Sequence, residues 1–330
     1  MTDGILEDSF GESRLRAAAA RALSSVDEPP AAVESVQRGN RKRTAVVRFD
    51  SHDPVVVQVC AEMRWLRTEA TVLRRLHERT TVPVPAVLDA GCRDGVAYML
   101  TEYVAGEDLH ERFGALDAGR RRALARSFGS YLAQVHEAFR FDGYGLVKRP
   151  SEALLSCGDD WGSWFTDYAS GAIDRLPAEF EGIAGDLRAL VDGFQPAPSP
   201  PARLYPWDFR PGNALLADGA IAAILDWEAP LSAPPSLSVA KAEYLVAEWY
   251  VADPAPLREA FREGYRRVRP WPSVPATHRV AAIADSVVDS TGTVTNPRYP
   301  ELDRERAISF HRRALERALR TDGTPRYRRS

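Results

Sequence analysis

The spacing of hydrophobic residues changes along the first hundred residues of the chain. Residues 44–49 and 55–59 are rich in β-branched residues, and the turn-forming residues 50–54 between them predict a β-hairpin. Apolar residues then recur at helical spacing from Met63 to Arg79, which predicts a helix. Residues 96–103 predict the last strand of this region. The first part of the chain is therefore expected to form an antiparallel sheet with one helix.

Helical spacing dominates the rest of the chain. Helices are predicted in a lead over residues 1–34, at residues 120–138, 161–168 and 180–194, and through most of residues 238–319. Strands and helices that are separated in this way predict an α+β fold in two lobes. We expect residues 1–103 to form an N-terminal lobe with an antiparallel sheet and the helical lead, and residues 104–330 to form a mostly helical C-terminal lobe.

The composition is ordinary for a globular protein and argues against several classes of partner. The 330 residues include 43 Lys and Arg against 46 Asp and Glu, which leaves a net charge of −3. A nucleic-acid or membrane-surface protein normally carries a basic excess, so neither partner is expected. The three cysteines form no Cys-x-x-Cys pair, which argues against a zinc site. Because no secretory signal or apolar span is found, a cytoplasmic location is expected, and the oligomeric state stays open.

Three oxygen-bearing side chains are predicted to converge within residues 203–228. Asp208 and Asn213 lie five residues apart on a Pro-Gly loop, and a short hairpin then leads to Asp226. Because the hairpin brings Asp226 back toward Asn213, we expect a site for Mg²⁺, which prefers carboxylate and amide oxygens. Phosphoryl transfer uses such a metal site together with a base that orients the attacking hydroxyl. The alternative is a surface hairpin in which Asp and Asn only form turns.

This segment resembles the catalytic and metal loops of the aminoglycoside phosphotransferase and choline kinase-like family, which has a protein-kinase-like fold. The matching residues are Asp208, Pro211, Asn213 and Asp226. The resemblance implies that Asp208 is the catalytic base and that Asn213 and Asp226 bind Mg²⁺. It also places Arg210 where protein kinases carry a Lys, so Arg210 is expected to contact the γ-phosphate.

The resemblance extends over most of the chain. It implies that residues 1–103 are a nucleotide-binding lobe and that residues 104–330 are the catalytic and substrate-binding lobe. Glu69, on the predicted helix, takes the position of the acid that pairs with a strand Lys, although an ordinary solvated charge is the alternative. Glu102, Tyr103 and Val104 take the position of the hinge, whose backbone groups contact the nucleotide base. The implied cofactors are Mg²⁺ and ATP or GTP, with no preference between the two nucleotides.

Two positions depart from the family pattern. The strand Lys that contacts the α- and β-phosphates is replaced by Gln58, which strand alternation places on the face where the Lys should lie. Arg48, on the paired strand, is a candidate substitute. The basic run at residues 41–43 is either a phosphate contact or a solvated turn. The His-Gly that precedes the catalytic Asp in the family is Pro-Trp at residues 206–207.

The resemblance implies a small-molecule kinase that moves the γ-phosphate of a nucleoside triphosphate to a hydroxyl of an aminoglycoside, a choline-like amine, homoserine, a sugar or a fructosamine. Glu228, Glu243 and Trp249 are candidate substrate contacts, because acidic and aromatic residues suit a cationic or sugar-like ligand; helix packing is the alternative. The departures leave open a nucleotide-binding pseudokinase with a regulatory role. A hydrolase lacks support, because no Ser-His-Asp or Gly-x-Ser-x-Gly element is found.

Overall fold

The computed structural model describes residues 2–36, 41–149, 153–195 and 199–320. Its backbone divides into two compact units, each made of three chain segments. The first unit comprises Met1–Glu107, Val147–Leu155 and Ala214–Pro230. The second unit comprises Asp108–Leu146, Ser156–Asn213 and Leu231–Ser330. The domain boundary that the sequence places after residue 103 stays a prediction.

Helices and strands occur throughout the described residues. The helices are α1 (Thr2–Phe10), α2 (Ser13–Leu23), α3 (Met63–Arg79), α4 (Leu109–Phe113), α5 (Ala118–Ala138), α6 (Trp161–Asp174), α7 (Glu181–Asp192), α8 (Pro235–Glu243), α9 (Ala255–Arg266), α10 (Ala276–Ala284) and α11 (Arg304–Arg320). The strands are β1 (Ala32–Val36), β2 (Arg43–Arg48), β3 (Val55–Cys60), β4 (Val87–Arg93), β5 (Val96–Glu102), β6 (Glu107–Asp108), β7 (Arg140–Phe141), β8 (Tyr144–Lys148), β9 (Leu155–Gly158), β10 (Ala202–Tyr205), β11 (Ala214–Ala217), β12 (Ala220–Ile224) and β13 (Leu231–Ala233). Short 3-10 segments lie at Ala178–Phe180 and Pro211–Asn213, and a π-helical turn lies at Tyr244–Glu248.

A five-stranded antiparallel sheet in the order β1-β2-β3-β5-β4 forms the base of the first unit. One face of the sheet buries Ala45, Val47, Val57 and Val59 with side chains of α1 and α2. Alternate residues of β2 and β3 are only half-buried, as the period-two pattern of a strand requires. The predicted hairpin and the helix at residues 63–79 are thus confirmed.

The structure also confirms the predicted second hairpin, which β11 and β12 form in the first unit. Its turn residues Asp218 and Gly219 both have positive φ, at 52° and 77°, which is the conformation that an Asp-Gly turn favours between two strands. Ala214 pairs with Ile224, so the two ends of the hairpin lie together. Strand β6 joins β11 as a third strand. Asp226 follows the hairpin after one intervening residue.

Closely packed helices form the centre of the second unit. Gly129 of α5 and Gly264 of α9 allow the two backbones to touch: a β-carbon at Gly129 would lie 1.9 Å from the carbonyl oxygen of Phe261, and one at Gly264 would lie 1.9 Å from that of Arg126. Only glycine fits at such a crossing. None of the helices described is long and apolar enough to cross a membrane.

Two groups of strands were not predicted. A second five-stranded sheet has the order β7-β10-β13-β8-β9, and most of its residues belong to the second unit. Strands such as β7 and β13 span two and three residues, too few for an alternating pattern to show. Strand β1 falls at the end of the predicted helical lead, and its sequence Ala-Val-Glu-Ser-Val contains few strand-favouring residues.

The three cysteines are free thiols in different surroundings. Cys60, in β3, is buried, and burial raises the pKa of its thiol. Cys92, in β4 of the first unit, is exposed. Cys157, in β9 and within the second unit, is also exposed. The two units therefore carry one accessible thiol each among the described residues.

Candidate functional site

The candidate catalytic loop lies in the second unit, between the end of β10 and the 3-10 segment at residues 211–213. Asn213 donates two hydrogen bonds from Nδ2 to Asp208, one to the backbone oxygen at 2.9 Å and one to Oδ2 at 3.0 Å. The backbone N–H of Asn213 donates to the carbonyl oxygen of Arg210 at 3.0 Å. These bonds close residues 208–213 into a compact loop and hold the carboxylate of Asp208 in one orientation.

Arg210 binds the other oxygen of the same carboxylate. Its Nε lies 2.7 Å from Oδ1 of Asp208, and its guanidinium carbon lies 5.4 Å from the ring centroid of Trp249. Burial acts to raise the pKa of Asp208, but the charge and hydrogen bond of Arg210, the charge of Lys241 and the hydrogen bond of Asn213 together outweigh it, and the pKa lies below the ordinary value. The side chain of Asp208 is 41% exposed, so an ionised carboxylate is accessible to a hydroxyl group.

A buried acid that the sequence analysis missed anchors this loop to the end of α10. Trp207 donates its indole N–H to Oδ2 of Asp285 at 2.7 Å. The ammonium of Lys241 lies 2.5 Å from the same oxygen, and the hydroxyl of Tyr168 donates to it at 2.9 Å. An indole one residue before Asp208 thus supplies a fixed anchor where the family has His-Gly.

A second cluster of charges lies entirely within the first unit and is built around Lys42, the residue before β2. The Nζ of Lys42 lies 2.8 Å from Oε2 of Glu69, 3.2 Å from Oδ1 of Asp226 and 3.5 Å from Oε2 of Glu228. Arg41 adds a second cation, 3.4 Å from Oε1 of Glu228. Burial raises the pKa of Glu69, whose side chain is 3% exposed, and the charge of Lys42 opposes that rise. We call these four residues, Lys42, Glu69, Asp226 and Glu228, the Lys42 cluster.

The backbone at Asp226 turns sharply to bring its carboxylate into this cluster. Asp226 has a φ of 61°, in the left-handed region that residues other than glycine seldom adopt. The next residue, Trp227, holds the turn: its backbone N–H donates to Oε1 of Glu69 at 3.2 Å, and its indole N–H donates to the carbonyl of Ile224 at 2.9 Å. Backbone strain of this kind is typical of functional positions. The side chain of Asp226 stays 42% exposed.

The donor chemistry of the two predicted metal ligands suits Mg²⁺. Asp226 offers a partly exposed carboxylate, and Asn213 uses Nδ2 for its bonds to Asp208, which leaves the amide oxygen as a ligand atom. Across the part of the chain that the structure describes, no three His, Cys, Asp or Glu side chains group as a metal site. Mg²⁺ usually keeps several waters and binds through one or two carboxylates together with substrate phosphates. Each of the two residues therefore offers an oxygen of the kind that Mg²⁺ prefers, and their binding of one ion stays a prediction.

Gln58 and Arg48, the predicted phosphate contacts, make other interactions. The amide nitrogen of Gln58 lies 3.4 Å from the hydroxyl of Thr44 on β2. The Nε of Arg48 lies 2.9 Å from Glu34, and its guanidinium lies over the ring of Tyr103. The cation that pairs with Glu69 is thus Lys42, from the basic run at residues 41–43. The four residues before this run, 37–40, lie outside the described residues.

The predicted hinge follows directly from β5. The backbone N–H of Glu102 donates to the carbonyl of Ala86 at 3.0 Å, and the N–H of Ala86 donates back to Oε1 of Glu102 at 3.0 Å. The N–H of Tyr103 donates to the carbonyl of Pro54 at 3.3 Å. Val104 is half-buried and begins the connector. These bonds fix the backbone at the end of β5. The contact of the hinge backbone with a nucleotide base stays a prediction.

The three predicted substrate contacts are all engaged within the protein. Glu243 is buried and accepts hydrogen bonds from Arg262 at 2.6 Å and from Arg279 at 3.1 Å, so two guanidinium groups balance its charge. Trp249 is buried in the second unit. Glu228 belongs to the Lys42 cluster. Their roles toward a substrate stay predictions, and the contacts of Glu243 favour helix packing.

One protein-family model matches most of the chain. It is described as the phosphotransferase enzyme family, and the match covers residues 30–281. This span includes the candidate catalytic loop, the Lys42 cluster and the predicted hinge. No curated protein matches the chain.

Several solved structures have a similar fold. A thermostable mutant of the aminoglycoside phosphotransferase APH(4)-Ia, in a ternary complex with AMP-PNP and hygromycin B, has a TM-score of 0.62 and 13% identity, covering 93% of this chain and 99% of that chain. A candidate fructosamine-3-kinase from Haemophilus somnus has a TM-score of 0.55 and 13% identity, covering 96% of both chains. Another from Thermobifida fusca has a TM-score of 0.53 and 18% identity, covering 90% of this chain and 98% of that chain. These likenesses concern the fold, and they confirm the predicted α+β, protein-kinase-like architecture.

Proposed function

The chain belongs to the phosphotransferase enzyme family and is a small-molecule kinase, and we propose that it moves the γ-phosphoryl group of ATP or GTP to a hydroxyl in a Mg²⁺-dependent reaction. The observation that carries this proposal is the closed loop of residues 208–213. In that loop Asn213 and Arg210 hold an ionised, accessible Asp208 in one orientation. Phosphoryl transfer needs a fixed carboxylate of this kind to orient the acceptor hydroxyl.

Asp208 is the proposed base. Its carboxylate orients the acceptor hydroxyl for in-line attack on the γ-phosphorus and accepts the hydroxyl proton. The new O–P bond forms while the bond from the γ-phosphorus to the bridging oxygen breaks, and the nucleoside diphosphate leaves. Arg210 contributes positive charge beside the transferred group. Catalysis in this scheme is positioning and electrostatic stabilisation, with no covalent intermediate on the protein.

Asp226 and Asn213 are the proposed Mg²⁺ ligands. When bound, the ion supplies charge neutralisation on the phosphate oxygens. The exposed carboxylate of Asp226 and the amide oxygen of Asn213 support this assignment, because both are hard ligands. The backbone of Glu102 to Val104 is the proposed contact for the nucleotide base.

The proposed acceptors are small molecules with a free hydroxyl. Relatives of similar fold include an aminoglycoside phosphotransferase solved with hygromycin B and candidate fructosamine-3-kinases. We therefore place aminoglycosides and fructosamines first, followed by choline-like amines, homoserine and simple sugars. The reaction is assigned to the cytoplasm, which supplies nucleoside triphosphates.

Thermal stabilisation tests the nucleotide site. A ligand that binds only the native state raises the melting temperature. We expect ATP or GTP with Mg²⁺ to raise the melting temperature of the wild type, and the Mg²⁺-dependent part of the rise to vanish in Asp226→Asn. Asp218→Asn, in the hairpin turn, is the matched control and should behave as the wild type.

Nucleoside diphosphate release over a panel of these acceptors tests the transfer itself. Acceptor-dependent release that requires Mg²⁺ supports the proposal. Nucleotide stabilisation without any need for Mg²⁺, and without release for any acceptor, would instead favour the pseudokinase interpretation. A protein that no nucleotide stabilises at millimolar concentration would overturn the proposal.

A further inference from the structure

We propose that Lys42, the residue before β2, is the cation that contacts the phosphates of the bound nucleotide. Protein kinases assign this task to a Lys on the third strand, which pairs with a helix Glu. In this chain the third-strand position is Gln58, and the helix acid Glu69 pairs with Lys42 instead. The inference rests on the proposed function, because it requires that the first unit bind a nucleoside triphosphate.

The strand register explains how a residue outside β3 can serve this position. Thr44 of β2 pairs directly with Gln58 of β3, and both side chains lie on the half-buried face of the sheet. Lys42 precedes Thr44 by two residues and therefore points to the same face, about 7 Å further along the strand direction. A Lys side chain has a flexible four-carbon stem that can span such an offset. The ammonium group of Lys42 therefore lies on the same face of the sheet as Gln58, but it comes from the chain just before β2 and not from β3.

The surroundings of Lys42 differ from those of the other lysines. The chain contains three lysines. Lys241 is buried against Asp285 in the second unit, and Lys148 lies in β8. Lys42 touches the α3 acid Glu69 and the proposed metal ligand Asp226, which are the two groups that a phosphate-binding Lys should adjoin.

The ammonium group of Lys42 has the donors that this role requires. An ammonium carries three N–H donors, and pairing with Glu69 at 2.8 Å uses one of them. The side chain of Lys42 is 12% exposed, and its longer contacts, at 3.2 and 3.5 Å, are to Asp226, whose side chain is 42% exposed, and to Glu228. An incoming phosphate would take one of these donors while Glu69 keeps the ammonium in place. In this arrangement Lys42 supplies the positive charge for the phosphate, so the third-strand position can be an uncharged Gln58.

Calorimetric titration with ATP and with adenosine tests the assignment. Lys42→Met should weaken ATP binding by about 10-fold or more, since it removes a charged hydrogen bond to phosphate. Adenosine binding should stay unchanged, because adenosine has no phosphate. Lys148→Met makes the same chemical change at a half-buried strand position and should bind ATP as the wild type does.

The outcomes separate this inference from the proposed function. If the wild type binds ATP and Lys42→Met binds it equally well, the assignment of Lys42 fails and the proposed function stands. If Lys42→Met weakens ATP and adenosine equally, the residue supports the fold and does not contact phosphate, and the inference again fails. If the wild type binds no nucleotide, the proposed function fails, and this inference fails with it.

An affinity label applied to the wild-type protein gives an answer that does not depend on a variant folding. The probe is adenosine carrying a sulfonyl fluoride in place of the phosphates, and the labelled residue is identified by peptide mass spectrometry. Modification of Lys42 that ATP prevents supports the inference. Modification of Lys148 or Lys241 alone would overturn it.

Discussion

The indole N–H of Trp207 donates to Oδ2 of Asp285 across 2.7 Å, and this bond ties the residue before the proposed base to the end of α10. Asp285 also receives the ammonium of Lys241 and the guanidinium of Arg175, at 2.5 and 2.7 Å. The buried carboxylate of Asp285 thus binds these three polar groups, one of which belongs to the residue before Asp208.

Removing that carboxylate should destabilise the protein strongly. Asp285→Ala leaves Lys241, which is 4% exposed, as a buried charge without its partner, and we expect the free energy of unfolding to fall by about 3–5 kcal/mol. Urea denaturation measures the change. Asp174→Ala is the control, because Asp174 pairs with Arg188 at the surface and its loss should cost about 1 kcal/mol or less. Equal losses in the two variants would contradict the anchoring role.

Asp208→Asn should lower kcat by about 10²–10⁴-fold, since it removes general-base assistance. The amide keeps the shape of the side chain, so the dissociation constant for ATP should stay close to that of the wild type. Steady-state kinetics with an accepted substrate and calorimetric titration with ATP provide the two measurements. Asp218→Asn should change neither value, and a fully active Asp208→Asn enzyme would remove Asp208 from the mechanism.

The pH dependence of kcat should respond to Arg210. The pKa of Asp208 lies below the ordinary value because Arg210, the first of its lowering influences, together with Lys241 and Asn213 outweighs the effect of burial. Wild-type activity should therefore persist as the pH falls toward the ordinary Asp pKa of about 4. Arg210→Ala removes a positive charge that lowers the pKa of Asp208, so the effect of burial, which raises this pKa, is opposed less strongly. The pKa of Asp208 then rises, the carboxylate is protonated at a higher pH, and the acid limb of the profile should move upward.

Arg188→Ala is the control for that profile. Arg188 belongs to an exposed pair with Asp174, so its removal should leave the acid limb where it is in the wild type. If Arg210→Ala reduces kcat but leaves the acid limb unmoved, Arg210 does not set the ionisation of Asp208.

The crossing of α5 and α9 should not tolerate a side chain. Gly129→Ala places a β-carbon 1.9 Å from the carbonyl oxygen of Phe261, so the helices must move apart, and we expect a loss of stability of about 1–3 kcal/mol. Gly185→Ala, in α7, meets no atom within 4 Å and should stabilise the protein by about 0.5–1 kcal/mol. Thermal denaturation of both variants checks the contrast, and equal melting temperatures would contradict the close approach.

Local patterns account for the parts of the fold that the sequence predicts. β2, β3 and α3 each span at least six residues of regular hydrophobic spacing, so their periods are visible in the sequence. The hairpin of β11 and β12 has an Asp-Gly turn. The sheet of the second unit has no such signal, because several of its strands are very short and its order depends on tertiary contacts.

The contacts of the candidate site are likewise of two kinds, those that local spacing predicts and those that depend on the tertiary fold. Asp208 and Asn213 lie within one short loop, so their pairing follows from local spacing. The Lys42–Glu69 pair joins residues 27 positions apart, and the Trp207–Asp285 bond joins residues 78 positions apart. No local spacing in the sequence predicts either pair. The family pattern predicts the charged residue at Gln58, whereas the cation that pairs with Glu69 is Lys42, the residue before the neighbouring strand β2.

The distribution of the cysteines gives the wild-type chain a pair of spectroscopic labelling sites. Cys92 and Cys157 are exposed, with one in each unit, while Cys60 is buried and should resist maleimide dyes. A donor and an acceptor dye can therefore be attached without any substitution. Energy transfer between them would follow the separation of the two units in real time as nucleotide and acceptor are added.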